Sequence, residues 1–435
     1  MKRRAPKQIA QEGFPFIAIG SSAGYTERMT KARWFLLVPG IGFMMALGLH
    51  LWHIGTPNVL VSDEISFVND GWSYVTHQPY FDPHPPLGKL MLGVVMKLFG
   101  YAPDVWRSVN AIEGALLIPL LWWIVRRLTK SNASANIAVV LGLVDGLVLA
   151  DSRLGMINIP FVLFSIAGFA AILTALSSPR PRRWLFLAGL VMGLAVSTKW
   201  LAALVIIPAI LVWIWPKFFG QQRTVAWTGT LKIFSLLVLV VWPMILYSLV
   251  FVVHFAWLHL PNTFWSLNAH MLRYHLSVPA TGDPNAQPWW GWLLAWRPFP
   301  YWASVQGTTV STIRSLPNVW VWWTGSLLVL WNLVRGWKNR LQRLLNVLIL
   351  FVWIPFAVIQ RVMYSYHALL FDVVMIIMLS VWLGKLWSNH RRMVFVYLGM
   401  SIVTFIFFAP WWLNIPLSTQ QNNLRTWLPS WSITR

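Results

Sequence analysis

The chain has 435 residues, 57% of them hydrophobic and only 11% charged, where a soluble domain carries about 25%; this excludes an ordinary soluble globule and, with 31 tryptophans, fits a polytopic membrane protein. The formal net charge of +22 does not signify nucleic acid, because the basic residues lie in short segments between apolar runs and no DNA- or RNA-binding motif accompanies them. There is no cysteine, hence no disulfide and no thiolate metal site.

A basic tail over 1–33 (Lys2, Arg3, Arg4, Lys7, Arg28, Lys31, Arg33) has no cleavable signal pattern and leads into an uncleaved first span. Apolar runs then predict about eleven transmembrane helices, at 34–54, 106–125, 136–150, 159–176, 184–198, 200–215, 232–253, 317–334, 344–360, 366–384 and 393–413. The third, fifth and sixth are short, as expected of tilted or partial spans. Two segments between spans are long. The first, 55–105, contains a 13-residue apolar stretch, Leu87–Phe99, too short to span and better read as an interfacial helix. The second, 254–316, is rich in Trp, Pro and His, and loops of this length in a compact protein are usually functional.

Placing the N-terminus inside and the C-terminus outside puts 23 of the 34 Lys and Arg residues in inner segments. The acids do the reverse. Asp63, Glu64, Asp70, Asp82, Asp104, Asp151 and Asp283 fall on the outer side, while Glu113, Asp145 and Asp372 lie within spans. The chain therefore divides into a cytoplasmic tail (1–33), an N-terminal transmembrane catalytic module (34–253) that includes the first outer loop (55–105), the second outer loop (254–316), a C-terminal four-helix region (317–413) and an outer tail (414–435). A carboxylate-dependent active site would have to face outward.

Asp63-Glu64 is the first candidate. Adjacent acids in a loop are commonly just solvated, but beside a membrane a carboxylate shielded from water can be tuned as a general base. The second is Phe81-Asp82-Pro83-His84-Pro85-Pro86-Leu87-Gly88-Lys89, where three prolines hold the backbone extended and would fix Asp82 and His84. Read alone it is equally a Pro-rich turn entering a helix. Lys199 sits between two apolar runs, where a bare lysine is costly unless it meets an anion.

Asp63-Glu64 followed at this distance by Phe-Asp-Pro-His-Pro-Pro-Leu-Gly-Lys resembles the protein O-mannosyltransferase family. Further matches follow in order: Arg107 in Trp-Arg-Ser-Val-Asn-Ala, Ser152-Arg153-Leu154, Ser197-Thr198-Lys199-Trp200, Met271-Leu272-Arg273-Tyr274-His275, Pro288-Trp289-Trp290-Gly291-Trp292, Arg297-Pro298 and Arg361-Val362-Met363-Tyr364-Ser365-Tyr366-His367. The resemblance implies an all-α membrane protein of the GT-C glycosyltransferase fold, in the cell membrane of a prokaryote, compact and without the soluble MIR domain of eukaryotic members. It implies a polyprenyl-phosphate sugar donor, mannose as the sugar, a protein Ser or Thr hydroxyl as acceptor, and inversion at the anomeric carbon. Members of the family often pair, which leaves a dimer open. One departure stands out. The family often has an Asp within Met-Leu-Asp where this chain has Met156-Ile157-Asn158, and an amide cannot act as a base.

On this basis Asp63 is assigned as general base and Glu64 as a neighbour positioning acceptor or sugar, with the two roles interchangeable. Arg107, Arg153, Lys199 and Arg361 are assigned to the developing phosphate charge, and Asp82 and His84 to the sugar or donor. Trp289, Trp290 and Arg297 are assigned to the acceptor or to the loop; the tryptophans could equally anchor at the interface. Asp63, Glu64, Asp82 and His84 are hard ligands that could suit a divalent ion, but the spacing is no metal signature and no cofactor is assigned. Three rival readings remain open: the same donor chemistry on a lipid or cell-wall glycan, a transporter or channel, and an inactive scaffold.

Overall fold

The computed structural model describes residues 22–260, 263–279, 282–359 and 361–432. The tail's Lys2, Arg3, Arg4 and Lys7 lie outside the described residues. Residues 1–38 form one unit, described only as the start of helix α1 (Ser22–Leu51); everything below belongs to the second unit, Pro39–Arg435.

Two short helices follow, α2 (Glu64–Thr76) and α3 (Leu87–Phe99), packed as a hairpin. The Pro83-His84-Pro85-Pro86 run keeps the chain out of helix until Leu87, so α3 starts where the prolines stop. Helix α4 (Pro103–Thr129) opens with proline in its first turn and Asp104 beside it, and carries Arg126 and Arg127 in its last turn, as the helix dipole favours.

The span expected over 136–150 is broken. Helix α5 (Asn132–Leu143) and helix α6 (Gly146–Ser152) meet at a 57° bend. The cause is local: Asp145 turns its side chain onto the Val148 amide at 2.7 Å and caps a new helix. Gly146 then admits the Trp412 ring, whose atoms lie 2.1 Å from where a Cβ would stand.

Helices α7 (Asn158–Leu176) and α8 (Pro181–Thr198) form a close antiparallel pair. Lys199 is extended (φ −156°, ψ 133°) and separates α8 from α9 (Trp200–Ile214). Helix α10 (Gly229–Leu258) is continuous, with a π-helical segment at Leu237–Val241. Helices α12 (Val319–Arg335), α13 (Arg340–Trp353), α14 (Leu369–Trp387) and α15 (Arg391–Leu413) make up the C-terminal part, after α11 (Phe264–Ser277) in the second long loop.

Among the described residues six helices are long and apolar enough to cross a membrane, or seven with the bent pair counted as one span; α9 and the Leu37–Leu51 part of α1 are shorter apolar helices. The spans of α7 and α14 are 89% and 78% buried and form the centre, whereas those of α10 and α15 are only 22% buried. The outward faces of the latter two carry Ile233, Leu236, Met244, Phe395, Val396 and Ile406, an apolar surface suited to acyl chains.

The all-helical expectation needs one amendment. The second long loop folds into a hairpin, β1 (Pro300–Gln306) and β2 (Thr309–Arg314), turning at Gly307 with φ +58°. The chain's end adds β3 (Leu417–Ser418) to make an antiparallel sheet in the order β1-β2-β3. Alternation of small polar and β-branched residues over 303–312 suits strands and was masked by the surrounding tryptophans.

Candidate active site

Asp63 and Glu64 are adjacent in sequence but do different things. Ser62 adopts a left-handed conformation (φ +48°), so the chain enters α2 through a tight turn and the two carboxylates diverge. Glu64 is fully buried and paired with Arg107: Nε donates to Oε1 and Nη2 to Oε2, both at 2.8 Å. The Gly155 amide (2.7 Å) and the Trp106 indole (3.3 Å) also donate to Oε1, and the Val61 amide donates to Oε2 (3.1 Å). The remaining Arg107 contacts go to the carbonyls of Ile54, Pro57 and Val59.

This corrects two assignments. Glu64 spends both carboxylate oxygens on Arg107, the Trp106 indole and two backbone amides, and Arg107 is committed to Glu64 and the 54–59 backbone. Arg153 is corrected likewise: it is buried, and its Nη1 donates to the carbonyls of Leu49, His50 and Trp52, tying down the end of α1. Each arginine satisfies carbonyls that a helix end or an irregular loop would leave unpaired.

Asp63 is half-buried and accepts a hydrogen bond from the Tyr366 hydroxyl at 3.1 Å. Burial pushes its carboxyl above the usual carboxylate range. The Tyr366 bond and the nearby Lys199 charge pull it back, while Asp82 raises it. The Tyr366 ring stacks on His367 (4.6 Å between centroids) and on Tyr301 (5.7 Å).

Beside this group lies a cavity of about 440 Å³. Its polar wall is His84, Lys199, His275, Arg361 and His367, and its apolar wall includes Trp200, Leu201, Leu204, Leu272, Leu276, Phe356 and Val358. Lys199 Nζ donates to Asn158 Oδ1 at 2.8 Å. Burial brings its ammonium down to about 8; Asp63, Asp151 and Asp82 raise it and Arg361 lowers it. Arg361 Nη1 donates to His275 Nδ1 (2.6 Å), and His275 Nε2 donates to the Pro83 carbonyl (2.9 Å), which fixes His275 as the neutral Nε2–H tautomer. Burial lowers both His275 and His84, so neither is charged at neutral pH. Arg361 Nε is buried without a partner among the described residues.

The proline-rich segment holds its groups as its stiffness suggests. Asp82 Oδ1 accepts from Lys89 Nζ (2.5 Å) and from the His84 amide (2.8 Å), and Lys89 also donates to the His84 carbonyl (2.7 Å). His84 thus reaches the cavity while Asp82 is engaged behind it. Trp289, Trp290 and Arg297 do not line the cavity. Trp289 packs on Trp353, Trp290 is exposed, and Arg297 donates to the Ala286 carbonyl. Of the four hard ligands Asp63, Glu64, Asp82 and His84, Glu64 is held by Arg107 and Asp82 by Lys89, and among the described residues no three such side chains converge.

Sequence reasoning assigned no role to Tyr301, Tyr366 or Asp151; the Asp151 Oδ2 accepts from the Tyr301 hydroxyl at 2.7 Å. The one available signal was position, since Tyr366 lies in the same segment as Arg361 and His367, and Asp151 directly precedes Ser152-Arg153.

The helical bundle, with Asp63 close to a cavity that Lys199 and Arg361 line, has the fold of GT-C membrane proteins. The fold is shared with the S. cerevisiae protein O-mannosyltransferase Pmt1-Pmt2 complex bound to the sugar donor (TM-score 0.81, 13% identity, 92% of this chain and 93% of that one). It is shared less closely with ArnT from Cupriavidus metallidurans bound to undecaprenyl phosphate (TM-score 0.57, 15% identity, 88% and 64%). The chain belongs to the dolichyl-phosphate-mannose-protein mannosyltransferase family, which matches residues 40–111 and 105–259. It is 28% identical to the polyprenol-phosphate-mannose–protein mannosyltransferase of Corynebacterium glutamicum, over 87% of this chain and 88% of that one. To its Mycobacterium tuberculosis counterpart it is 24% identical, over 87% of each.

Proposed function

We propose that this enzyme transfers mannose from a polyprenyl-phosphate carrier to Ser or Thr hydroxyls of proteins on the outer face of a prokaryotic cell membrane, with inversion. The reading takes the eleven helical segments as spans, with the N-terminus inside and the C-terminus outside, as the Lys and Arg distribution favours. The observation that carries it is the placing of Asp63 beside a cavity that presents Lys199 and Arg361 on one wall and apolar side chains on another.

In this mechanism the acceptor oxygen attacks the anomeric carbon as the bond from that carbon to the phosphate oxygen breaks. Asp63 takes the hydroxyl proton, and Lys199 and Arg361 hold the departing lipid phosphate. Phosphate has a second pKa of about 6, so as a leaving group it needs positive charge more than a proton. A single displacement inverts the centre with one base and no sugar–enzyme bond. Glu64 and Arg107 are positioning residues that hold the turn bearing Asp63, and Arg153 ties down the end of α1. His84 and His275, both neutral, suit hydrogen bonds to sugar hydroxyls.

The test is transfer of radiolabelled mannose from polyprenyl-phosphate-mannose by membranes carrying the enzyme. Label in protein, lost on β-elimination, supports the reading. Label that enters lipid or glycan alone moves the acceptor to those classes, and the absence of donor-dependent transfer overturns the reading.

A further inference from the structure

The ammonium of Lys199 is connected to a buried carboxylate it does not touch. Its Nζ donates to Asn158 Oδ1 at 2.8 Å, and the Nδ2 of the same amide donates to Asp151 Oδ1 at 2.9 Å. The other Asp151 oxygen accepts from the Tyr301 hydroxyl at 2.7 Å. Asp151 is wholly buried and Asn158 is 2% exposed, and neither lines the cavity that Lys199 enters. Three elements meet in this chain of bonds: α6 supplies Asp151, α7 supplies Asn158 and β1 supplies Tyr301.

The order of the groups has a consequence. A carboxylate only accepts and an ammonium only donates, so Asp151 dictates which way the Asn158 amide faces and presents its oxygen to Lys199. One of the three ammonium donors is thereby anchored, and the charge is aimed without being neutralised by contact. A carboxylate at position 158 would instead pair directly with Lys199 and compete with any anion in the cavity.

We infer that Asp151 is a positioning residue for the lipid phosphate: through the Asn158 amide it orients the Lys199 ammonium while keeping negative charge out of the phosphate site. Tyr301 holds Asp151 in place, and because it also stacks on Tyr366 it links this arrangement to Asp63. The inference rests on the proposed phosphate-binding role of Lys199.

The experiment compares Asp151→Asn, Asn158→Asp, the double exchange and Tyr301→Phe in purified enzyme. Two quantities are read: binding of polyprenyl phosphate itself, and the pH profile of kcat/KM for the mannosyl donor. Asp151→Asn and Asn158→Asp should each weaken polyprenyl phosphate by on the order of tenfold, as fits a hydrogen bond to a charged group. Their pH profiles should move in opposite directions. The charged groups around Lys199 are Asp63, Asp82, Asp151 and Arg361, with His84, His275 and His367 on the same cavity. Removing the Asp151 carboxylate leaves the ammonium easier to deprotonate, so the alkaline limb moves to lower pH. A carboxylate in contact with it, in Asn158→Asp, moves the limb to higher pH.

The double exchange restores the net charge but not its placement, and should remain impaired. Full recovery in that variant would show that charge alone matters and would overturn the inference. So would an unmoved alkaline limb and unchanged phosphate affinity in Asp151→Asn. If Asp151→Asn fails to fold, Asn158→Asp and Tyr301→Phe carry the same comparison. Should the unaltered enzyme bind polyprenyl phosphate yet transfer no mannose, the functional reading fails while the binding data still decide the role of Asp151.

Discussion

Tyr366 and Asp63 lie 303 positions apart, and the tyrosine hydroxyl donates to Asp63 Oδ2 at 3.1 Å. The bond brings the segment after α13 to the mouth of α2 and favours the charged form of the carboxylate against its burial. Burial makes the carboxylate more basic, and the Tyr366 bond favours its charged form, the combination a general base requires.

Asp63→Asn should reduce kcat by 10²–10⁴-fold, about what loss of a general base removes, with little change in the donor KM. The measurement is steady-state transfer to an acceptor peptide under saturating donor. Turnover near that of the unaltered enzyme would remove Asp63 from its role.

Tyr366→Phe keeps the ring stacked on His367 and deletes only the hydroxyl. The folded-state pKa of Asp63 should rise, since the bond lost stabilises the anion. The acid limb of kcat/KM then moves to higher pH, and activity at neutral pH falls by on the order of tenfold. An acid limb that stays in place would contradict the assignment.

Lys199 works in its charged form, which is lost as pH rises through about 8. The kcat/KM for donor should therefore fall above that pH, since this parameter reports the free enzyme. In Lys199→Arg, whose guanidinium stays charged, the alkaline limb should recede to higher pH. In Lys199→Gln the donor KM should rise at every pH.

Glu64→Gln should act on stability before chemistry. It leaves the buried Arg107 guanidinium without its anion, a loss of roughly 3–5 kcal/mol for a broken buried pair. Thermal unfolding in detergent should show a lowered Tm, and the surviving folded fraction should keep the pH profile of the unaltered enzyme.

The crossing of α2 and α3 offers a test of placement. A Cβ on Gly93 would stand 2.5 Å from the Gly71 carbonyl oxygen, and that atom is backbone and cannot rotate away. Gly93→Ala should destabilise by about 1–3 kcal/mol through overpacking. Because α2 begins at Glu64, it should also lower kcat without touching any group of the site, which transfer assays at low temperature would reveal.

Much of the molecule could be read from the sequence alone. Apolar runs and proline punctuation located most of the apolar helices, though not α2 or α11 or the break at Asp145: α3 has the predicted bounds, 87–99, and α7 begins one residue from its predicted start, because hydrophobicity and helix breakers are local properties. The paired acids, the proline-rich segment and Lys199 were likewise visible as unusual residues in an apolar chain. Partner choice was not. That Glu64 pairs with Arg107, that Arg153 ties down the end of α1, and that Asp151 reaches Lys199 through Asn158 depend on side chains 43, 103 and 41 or fewer positions apart being packed together. Such pairings arise because a buried polar group must find a partner wherever the tertiary fold supplies one. The sequence could therefore name the groups able to do chemistry, and only packing in three dimensions divided those that hold the site together from those that face the cavity.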